Sequence, residues 1–240
     1  MSRVVLVTGG GTGIGRAAAA AFAADSDRVL IVGRRVEPLR RAAAELGSEV
    51  CPLVCDLADP EQVEGLGEAL PGSIDILVNG AGGNTDIDRP SPRDLRQVAA
   101  AWRANLDANL LSAVLTTTLI EARLAEGGAV VSVGSIAADK GAGAYGAAKA
   151  GLASWNVDLA AQLGPRGVTA NVVVPGYIDT EFLRDRMTER RRQGLVEATM
   201  TGRPCTPGDI AGTVHFLASP AARQITGQVL AVNGGAWTSR

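Results

Sequence analysis

The stretch Val4-Val5-Leu6-Val7-Thr8-Gly9-Gly10-Gly11-Thr12-Gly13-Ile14-Gly15 decides how the rest of the chain is read. Val4–Val7 is a short, mostly β-branched apolar run of the kind that forms a buried strand. The apolar run from Ala17 to Ala24 reads as a helix. The glycines between them form a turn whose backbone can approach a ligand without a side chain in the way. Free N–H groups and the positive end of the helix dipole then converge on one point, which suits a phosphate or pyrophosphate.

Outward from this unit, short apolar strands alternate with alanine-rich helices. Further strands are expected at Val29–Val32, Val50–Val54, Ile74–Val78, Ala129–Val133, Val168–Val174 and Gln228–Val232. Helical patterns fall at Arg16–Ala24, Glu37–Leu46, Pro60–Leu70, Leu95–Leu124, Tyr145–Leu163 and Pro207–Leu217. Strands apolar on both faces, alternating with helices, predict an α/β fold: a doubly wound, mostly parallel, seven-stranded sheet with helices on both faces. With no linker or repeat in view, residues 1–240 are read as a single domain. Two aperiodic stretches, Gly83–Arg93 and Gly176–Pro204, follow the fourth and sixth strands. In open α/β sheets ligands bind at the carboxyl ends of strands, so both belong beside a site, and 176–204 is long enough to be a lid.

Composition narrows the function classes. The 240 residues carry 23 basic and 25 acidic side chains, a net charge of −2. No basic run is interleaved with aromatics, which argues against a nucleic-acid partner. No apolar stretch reaches the ~20 residues a bilayer span needs, so no membrane partner is expected. The three cysteines, Cys51, Cys55 and Cys205, read as free buried thiols of a reduced, cytoplasmic protein. The only histidine, His215, reads as packed or capping, and no metal is expected.

Chemistry enters with Ala144-Tyr145-Gly146-Ala147-Ala148-Lys149. Residues i and i+4 share a helix face, which would bring a phenol and an ammonium together. A cation favours the phenolate and lowers the phenol's pKa, preparing it to exchange protons at working pH. Ser135 precedes this pair by ten residues.

These motifs resemble the short-chain dehydrogenase/reductase family, in its single-domain branch, and do so along nearly the whole chain. Thr8-Gly9-x3-Gly13-Ile14-Gly15 resembles the family's dinucleotide turn, which would enlist Gly9, Gly11, Thr12, Gly13, Ile14 and Gly15. Asp56-Leu57 resembles its adenine contact, and Asn79-Gly80-Ala81-Gly82 its turn after the fourth strand, implicating Asn79, Ala81 and Gly82. Trp102 followed by Asn109-Leu110 resembles the helix with the catalytic asparagine. Ser135, Tyr145 and Lys149 resemble the catalytic serine, tyrosine and lysine. Pro175-Gly176-Tyr177-Ile178-Asp179-Thr180 resembles the turn over the nicotinamide, with Pro175, Gly176, Ile178 and Thr180 as contacts. Ile225-Thr226-Gly227-Gln228 and Val232-Asn233-Gly234-Gly235 resemble its C-terminal strand. The Ser135–Tyr145 spacing is about three residues short of the family's commoner one, which Ser132 would keep. Ser135 is preferred by its place in Val130–Ala137. Asn105 competes with Asn109, and the distance from Trp102 favours Asn109.

The second strand ends Val32-Gly33-Arg34-Arg35, with glycine where an acid would bond a ribose 2′-hydroxyl. Arg34, with Arg35 beside it, instead suits a 2′-phosphate, so NADP(H) is the expected cofactor. The resemblance implies carbonyl reduction to a secondary alcohol: Tyr145 gives the proton and Ser135 holds the oxygen. Lys149 bonds the nicotinamide ribose and lowers the Tyr145 pKa, and Asn109 holds a water linking Lys149 to solvent. It also implies a homo-oligomer, commonly a tetramer, with the helices at Leu95–Leu124 and Tyr145–Leu163 paired between subunits.

The substrate stretch mixes Phe182, Leu183, Met187, Leu195, Val196 and Met200 with Arg184, Arg186, Arg190, Arg191 and Arg192. That mix suits an acyl chain on an acyl carrier protein, as in 3-oxoacyl-(acyl-carrier-protein) reductases. A plain solvated helix exterior explains the arginines equally. A sugar, polyol or other secondary-alcohol dehydrogenase and a nucleotide-binding regulatory protein stay open as alternatives.

Overall fold

Residues 2–87, 90–179 and 186–238 are described by the computed structural model of the chain. Its seven strands are β1 (Val4–Thr8), β2 (Arg28–Gly33), β3 (Val50–Val54), β4 (Ile74–Asn79), β5 (Leu124–Val133), β6 (Thr169–Pro175) and β7 (Val229–Val232). They form one parallel sheet in the order β3-β2-β1-β4-β5-β6-β7. The order reverses at the β1/β4 seam, where Thr8 and Asn79 stand opposite each other at the carboxyl edge. Crossovers leave that seam in opposite directions, so a crevice opens there.

The period-two alternation of the strands sorts the core into two layers. Val5, Val7, Val29 and Ile31 face one side, packed with Phe22 of α1 (Gly13–Ala24), Leu39 of α2 (Val36–Leu46), and Ile210 and Val214 of α9 (Pro207–Leu217). Leu6, Leu30, Val32 and Leu77 face the other side. There they meet Val63 and Leu66 of α3 (Pro60–Ala69), Ile120 of α5 (Ser112–Ile120), and Leu159 and Leu163 of α7 (Gly143–Leu163).

Three local readings need correction. The pattern Leu95–Leu124 is not one helix: α4 (Leu95–Leu106) gives way to a π-helix at Asp107–Leu111 before α5 begins. Leu124 opens β5, paired with Ile74, because Gly127 takes φ +69° and a Cβ on Gly128 would lie 2.6 Å from the Asp75 carbonyl oxygen. The pairing then slips and resumes at Ile76 with Ala129, giving an irregular start to the strand. The stretch 176–204 holds a regular helix, α8 (Glu189–Glu197), started by Thr188, whose Oγ1 accepts from the Arg191 amide at 3.3 Å. A bridge between Ile178 and Cys205 closes the base of that excursion. A short helix after β5, α6 (Ala137–Lys140), has no counterpart in the sequence pattern.

The free thiols are Cys51, half-buried, and Cys55 and Cys205, buried; the expectation of burial fails for Cys51 because it lies within edge strand β3. His215 packs its ring on Phe22 and bonds Asp25 at 2.8 Å. Among the described residues no helix is long and apolar enough to cross a membrane.

Two glycines on different helices predict opposite outcomes. A Cβ on Gly15 would stand 2.3 Å from the Gly9 carbonyl oxygen, whereas one on Gly65 in α3 meets nothing within 4 Å. Gly15→Ala is expected to destabilise by about 1–3 kcal/mol, as overpacking does. Gly65→Ala is expected to stabilise by about 0.5–1 kcal/mol. Urea unfolding of both variants checks the contrast, and equal midpoints would contradict the close packing of α1 on the turn.

Candidate active site

The glycine turn is tied to the sheet by Thr8. Its hydroxyl donates to the Val78 carbonyl at 3.3 Å and accepts from the Gly80 and Ala81 amides, both at 3.0 Å. A Cβ on Gly9 would lie 2.6 Å from the Gly80 carbonyl oxygen, so the turns after β1 and β4 touch backbone to backbone. Gly9 has φ +69° and Gly13 has φ +55°, conformations that glycine adopts without strain. No side chain caps the N-terminus of α1 and no acid sits in its first turn. The positive end of that helix faces a cavity of about 1000 Å³.

This cavity brings together most of the expected cofactor residues. Gly9, Gly11, Thr12, Gly13, Ile14 and Gly15 form one wall, Arg34 and Arg35 a second, Asp56 and Leu57 a third, and Ala81 and Gly82 a fourth. Arg34 is largely exposed, with Nη1 3.8 Å from the Asp56 carboxylate. Glu37, the nearest acid along the chain after β2, lies outside the cavity wall and pairs loosely with Arg40 at 3.9 Å. The bare backbone turn, the uncapped helix end and the size of the cavity fit a nicotinamide dinucleotide. Sequence reasoning missed Gly33, Leu39, Thr85, Ala104, Ala108 and Ser112 on the same wall. The last three fall four residues apart, so a stripe of small residues on one helix face was the available signal.

Asn79 does not line the cavity. It is buried, and its Nδ2 donates to Thr117 Oγ1 at 3.1 Å and Ser132 Oγ at 3.4 Å. Ser132, opposite Asn79 in the β4–β5 pairing, is thus committed inside the sheet. Ser135 lies beyond the end of β5, and its side chain is hydrogen-bonded to that of Tyr145 on the first turn of α7. Ser135 Oγ also accepts from the Ala137 amide at 3.2 Å.

The phenol–ammonium expectation is corrected on one point. Lys149 is 5% exposed, and its Nζ donates to the Val133 carbonyl of β5 at 2.7 Å. Burial pushes its pKa down to about 8. Burial likewise raises the Tyr145 pKa above the ordinary phenol value, with the Ser135 hydrogen bond acting in the opposite direction. Desolvation therefore outweighs that hydrogen bond, and the neutral phenol is the form this fold favours.

Asn109 sits in the π-helix, 1% exposed. Its Oδ1 accepts from the Gly83 amide at 2.8 Å, and its Nδ2 donates to the Gly83 carbonyl at 2.9 Å and the Asn105 carbonyl at 3.0 Å. Both side-chain N–H groups are committed to backbone, so the side chain holds the loop after β4 and the break in the helix. It has no N–H left to hold a water for Lys149, and that expected role does not fall to its amide nitrogen. π-Turns of this kind concentrate at functional sites.

On the far side, Pro175 ends β6 and its carbonyl accepts from the Ile136 amide at 3.2 Å, which ties the strand to the segment following Ser135. Gly176 lies against Asn233, where a Cβ would come within 2.9 Å, and Ile178 is buried. Thr180, Phe182, Leu183 and Arg184 lie outside the described residues. Tyr145, Lys149, Pro175, Gly176 and Ile178 are not part of the cavity wall. Pro175 and Gly176 stand further along the same carboxyl edge, at the end of β6, and Lys149 of α7 is tied to the end of β5 through Val133. Among the described residues no group of three or more His, Cys, Asp or Glu could hold a metal ion.

A family model described as enoyl-(acyl carrier protein) reductase matches residues 9–236. The chain belongs to the short-chain dehydrogenase/reductase family. Within it, the chain is 38% identical over 232 residues to a Mycobacterium tuberculosis (strain H37Rv) protein named as an oxidoreductase, covering 97% of each chain. It is 34% identical over 241 residues to the 3-oxoacyl-[acyl-carrier-protein] reductase of Escherichia coli K12, covering 97% of this chain and 96% of that one. A crystal structure from Brucella melitensis, titled a short-chain dehydrogenase/reductase and glucose/ribitol dehydrogenase, superposes with a TM-score of 0.88 at 29% identity. That match covers 99% of this chain and 97% of the other. The protein is an oxidoreductase of this family, built on its Rossmann-type sheet, and the family works with a nicotinamide cofactor.

Proposed function

We propose that this short-chain dehydrogenase/reductase uses NADPH to reduce a ketone carbonyl to a secondary alcohol, with a 3-oxoacyl thioester as substrate. The observation that carries the reading is Tyr145, half-buried, kept protonated by desolvation and hydrogen-bonded to Ser135 at the carboxyl edge beside the dinucleotide cavity. A reduction needs a proton donor, and a neutral, partly desolvated phenol is one. When bound, the reduced nicotinamide supplies the hydride. Tyr145 gives its proton to the carbonyl oxygen as negative charge develops there, and Ser135 donates a second hydrogen bond to the same oxygen. Lys149 keeps a positive charge beneath the phenol, and Asn109 fixes the Gly83 backbone on the cofactor side.

The cofactor choice follows from the end of β2. With glycine at position 33 and Glu37 outside the cavity wall, the mobile charge at the adenosine end is Arg34. Its exposed pairing with Asp56 is weak enough to exchange for a phosphate, since surface ion pairs contribute about 0–1 kcal/mol. A charge-assisted bond to a 2′-phosphate contributes about 1.5–3 kcal/mol. Arg34→Ala is therefore expected to raise the KM for NADPH about 10–100-fold and leave that for NADH unchanged. A parallel rise for both cofactors would contradict a phosphate contact.

The thioester choice is supported by the likeness to the E. coli reductase and by the arginines of α8. Arg190 and Arg191 are exposed on α8 and offer positive charge to an acidic carrier protein. The exposed Leu95, Trp102 and Val157 on α4 and α7 support a homo-oligomer, proposed as a tetramer, and residues 1–240 are proposed as one domain. The deciding experiment is NADPH oxidation at 340 nm across β-ketoacyl thioesters, quinones and sugar ketones. Highest kcat/KM on the thioesters is expected. A sugar ketone or polyol leading the panel would favour the secondary-alcohol dehydrogenase reading, with which the Brucella neighbour's title agrees.

A further inference from the structure

The loop after β4 opens with Gly82 at φ +127° and Gly83 at φ +153°, so its own backbone preferences hold it weakly. Gly82, Gly83, Asn84 and Thr85 nevertheless form a continuous part of the cavity wall. What fixes them comes from the helix opposite. Asn105 is 0% exposed in α4, one turn before Asn109. Its Oδ1 accepts from the Thr85 amide at 3.2 Å, and its Nδ2 donates to Asp86 Oδ2 at 2.9 Å and to the Ala101 carbonyl at 3.2 Å. Asp86 is held in turn by its amide, which donates to Asn84 Oδ1 at 2.9 Å. Two asparagines four residues apart thus sew the loop to one helix face, Asn109 at Gly83 and Asn105 at Thr85 and Asp86.

We propose that Asn105 and Asp86 are a positioning pair for nucleotide binding: their hydrogen bond holds the Gly82–Thr85 segment in place as the cavity wall before the dinucleotide arrives. The inference rests on the nucleotide-binding part of the reading above and not on the choice of substrate. Neither side chain lines the cavity, so both act through the backbone they hold. A buried asparagine at 105 could instead have been packing filler. Its hydrogen bonds to two neighbouring loop residues, one through backbone and one through a carboxylate, are what a filler does not need. If the loop is ordered in advance, binding does not carry the conformational entropy of ordering it.

The test is titration of the full chain with NADPH, followed by nucleotide fluorescence, for Asp86→Ala and Asp86→Asn. Asp86→Ala removes the acceptor and is expected to weaken NADPH binding about tenfold, or ~1.4 kcal/mol. Asp86→Asn keeps a carbonyl oxygen for Asn105 and is expected to restore wild-type affinity. In turnover, Asp86→Ala is expected to raise KM for NADPH while kcat changes little. The titration is run well below each variant's melting temperature, measured alongside. A lower melting temperature with unchanged NADPH affinity in Asp86→Ala would show a structural role only and overturn the proposal. Equal weakening in Asp86→Asn would overturn it too, by assigning the effect to charge. Absence of NADPH binding in the parent chain would instead sink the cofactor reading itself.

Discussion

Tyr145→Phe is expected to lower kcat for carbonyl reduction by about 10²–10⁴, the range over which a positioned proton donor acts. The substitution deletes one hydroxyl and leaves the ring, so the packing of α7 on the sheet stays intact. Burial holds the wild-type phenol protonated, and the lost hydroxyl is therefore a lost donor. NADPH affinity is expected to remain as in the parent, because Tyr145 is not part of the cavity wall. Steady-state kinetics beside a direct NADPH titration separates the two quantities. A variant that binds NADPH and turns over within a few-fold of the parent would show that another group protonates the alcohol. Ser135 would be the next candidate, being hydrogen-bonded to the same hydroxyl.

What could be read from the chain, and what could not, divides along a physical line. The strands were legible because burial on both faces leaves continuous apolar runs, as in β4, expected at Ile74–Val78 and found at Ile74–Asn79. The parallel, helix-covered sheet followed from that pattern. The break at Asp107–Leu111 was not legible, since the hydrogen bonds that go with it join Asn109 to Gly83, far away in sequence. Helical periodicity runs through the break undisturbed. The direction of the Tyr145 shift was misread for a related reason. Spacing along α7 places Lys149 beneath the phenol, but the ammonium is drawn to a carbonyl on β5 that helix spacing does not reveal. How deeply both groups are buried is likewise a property of the assembled fold. Arg34 was visible because its position relative to the end of β2 is local, and Asn105 was weighed only as a rival to Asn109. Its bonds to Thr85 and Asp86 came into view with the loop.

Lys149→Met is expected to make the protein more stable at pH 7 and nearly inactive. The wild-type ammonium is buried with one carbonyl partner, and its pKa falls from an ordinary 10.5 to about 8. Below pH 8 both the folded and unfolded chains hold the proton, so the folded state bears the whole desolvation penalty. Between pH 8 and 10.5 the unfolded chain binds more protons than the folded one, and stability rises with pH. A shift of this size corresponds to about 3 kcal/mol. Methionine fills a similar volume without charge, though it leaves the Val133 carbonyl without that donor, which costs about 1 kcal/mol. The net gain at pH 7 is therefore expected at about 1–2 kcal/mol, shrinking as pH approaches 10. Activity is expected to fall by at least ~10², because the positive charge beneath the reacting phenol is gone. Urea titrations of parent and variant at pH 7 and pH 9.5, with kcat at pH 7, test both halves. A variant less stable than its parent at pH 7, by more than the lost Val133 bond allows, would mean that the ammonium is a structural anchor. Gained stability together with lost turnover is what a charge kept in the fold for its chemistry requires.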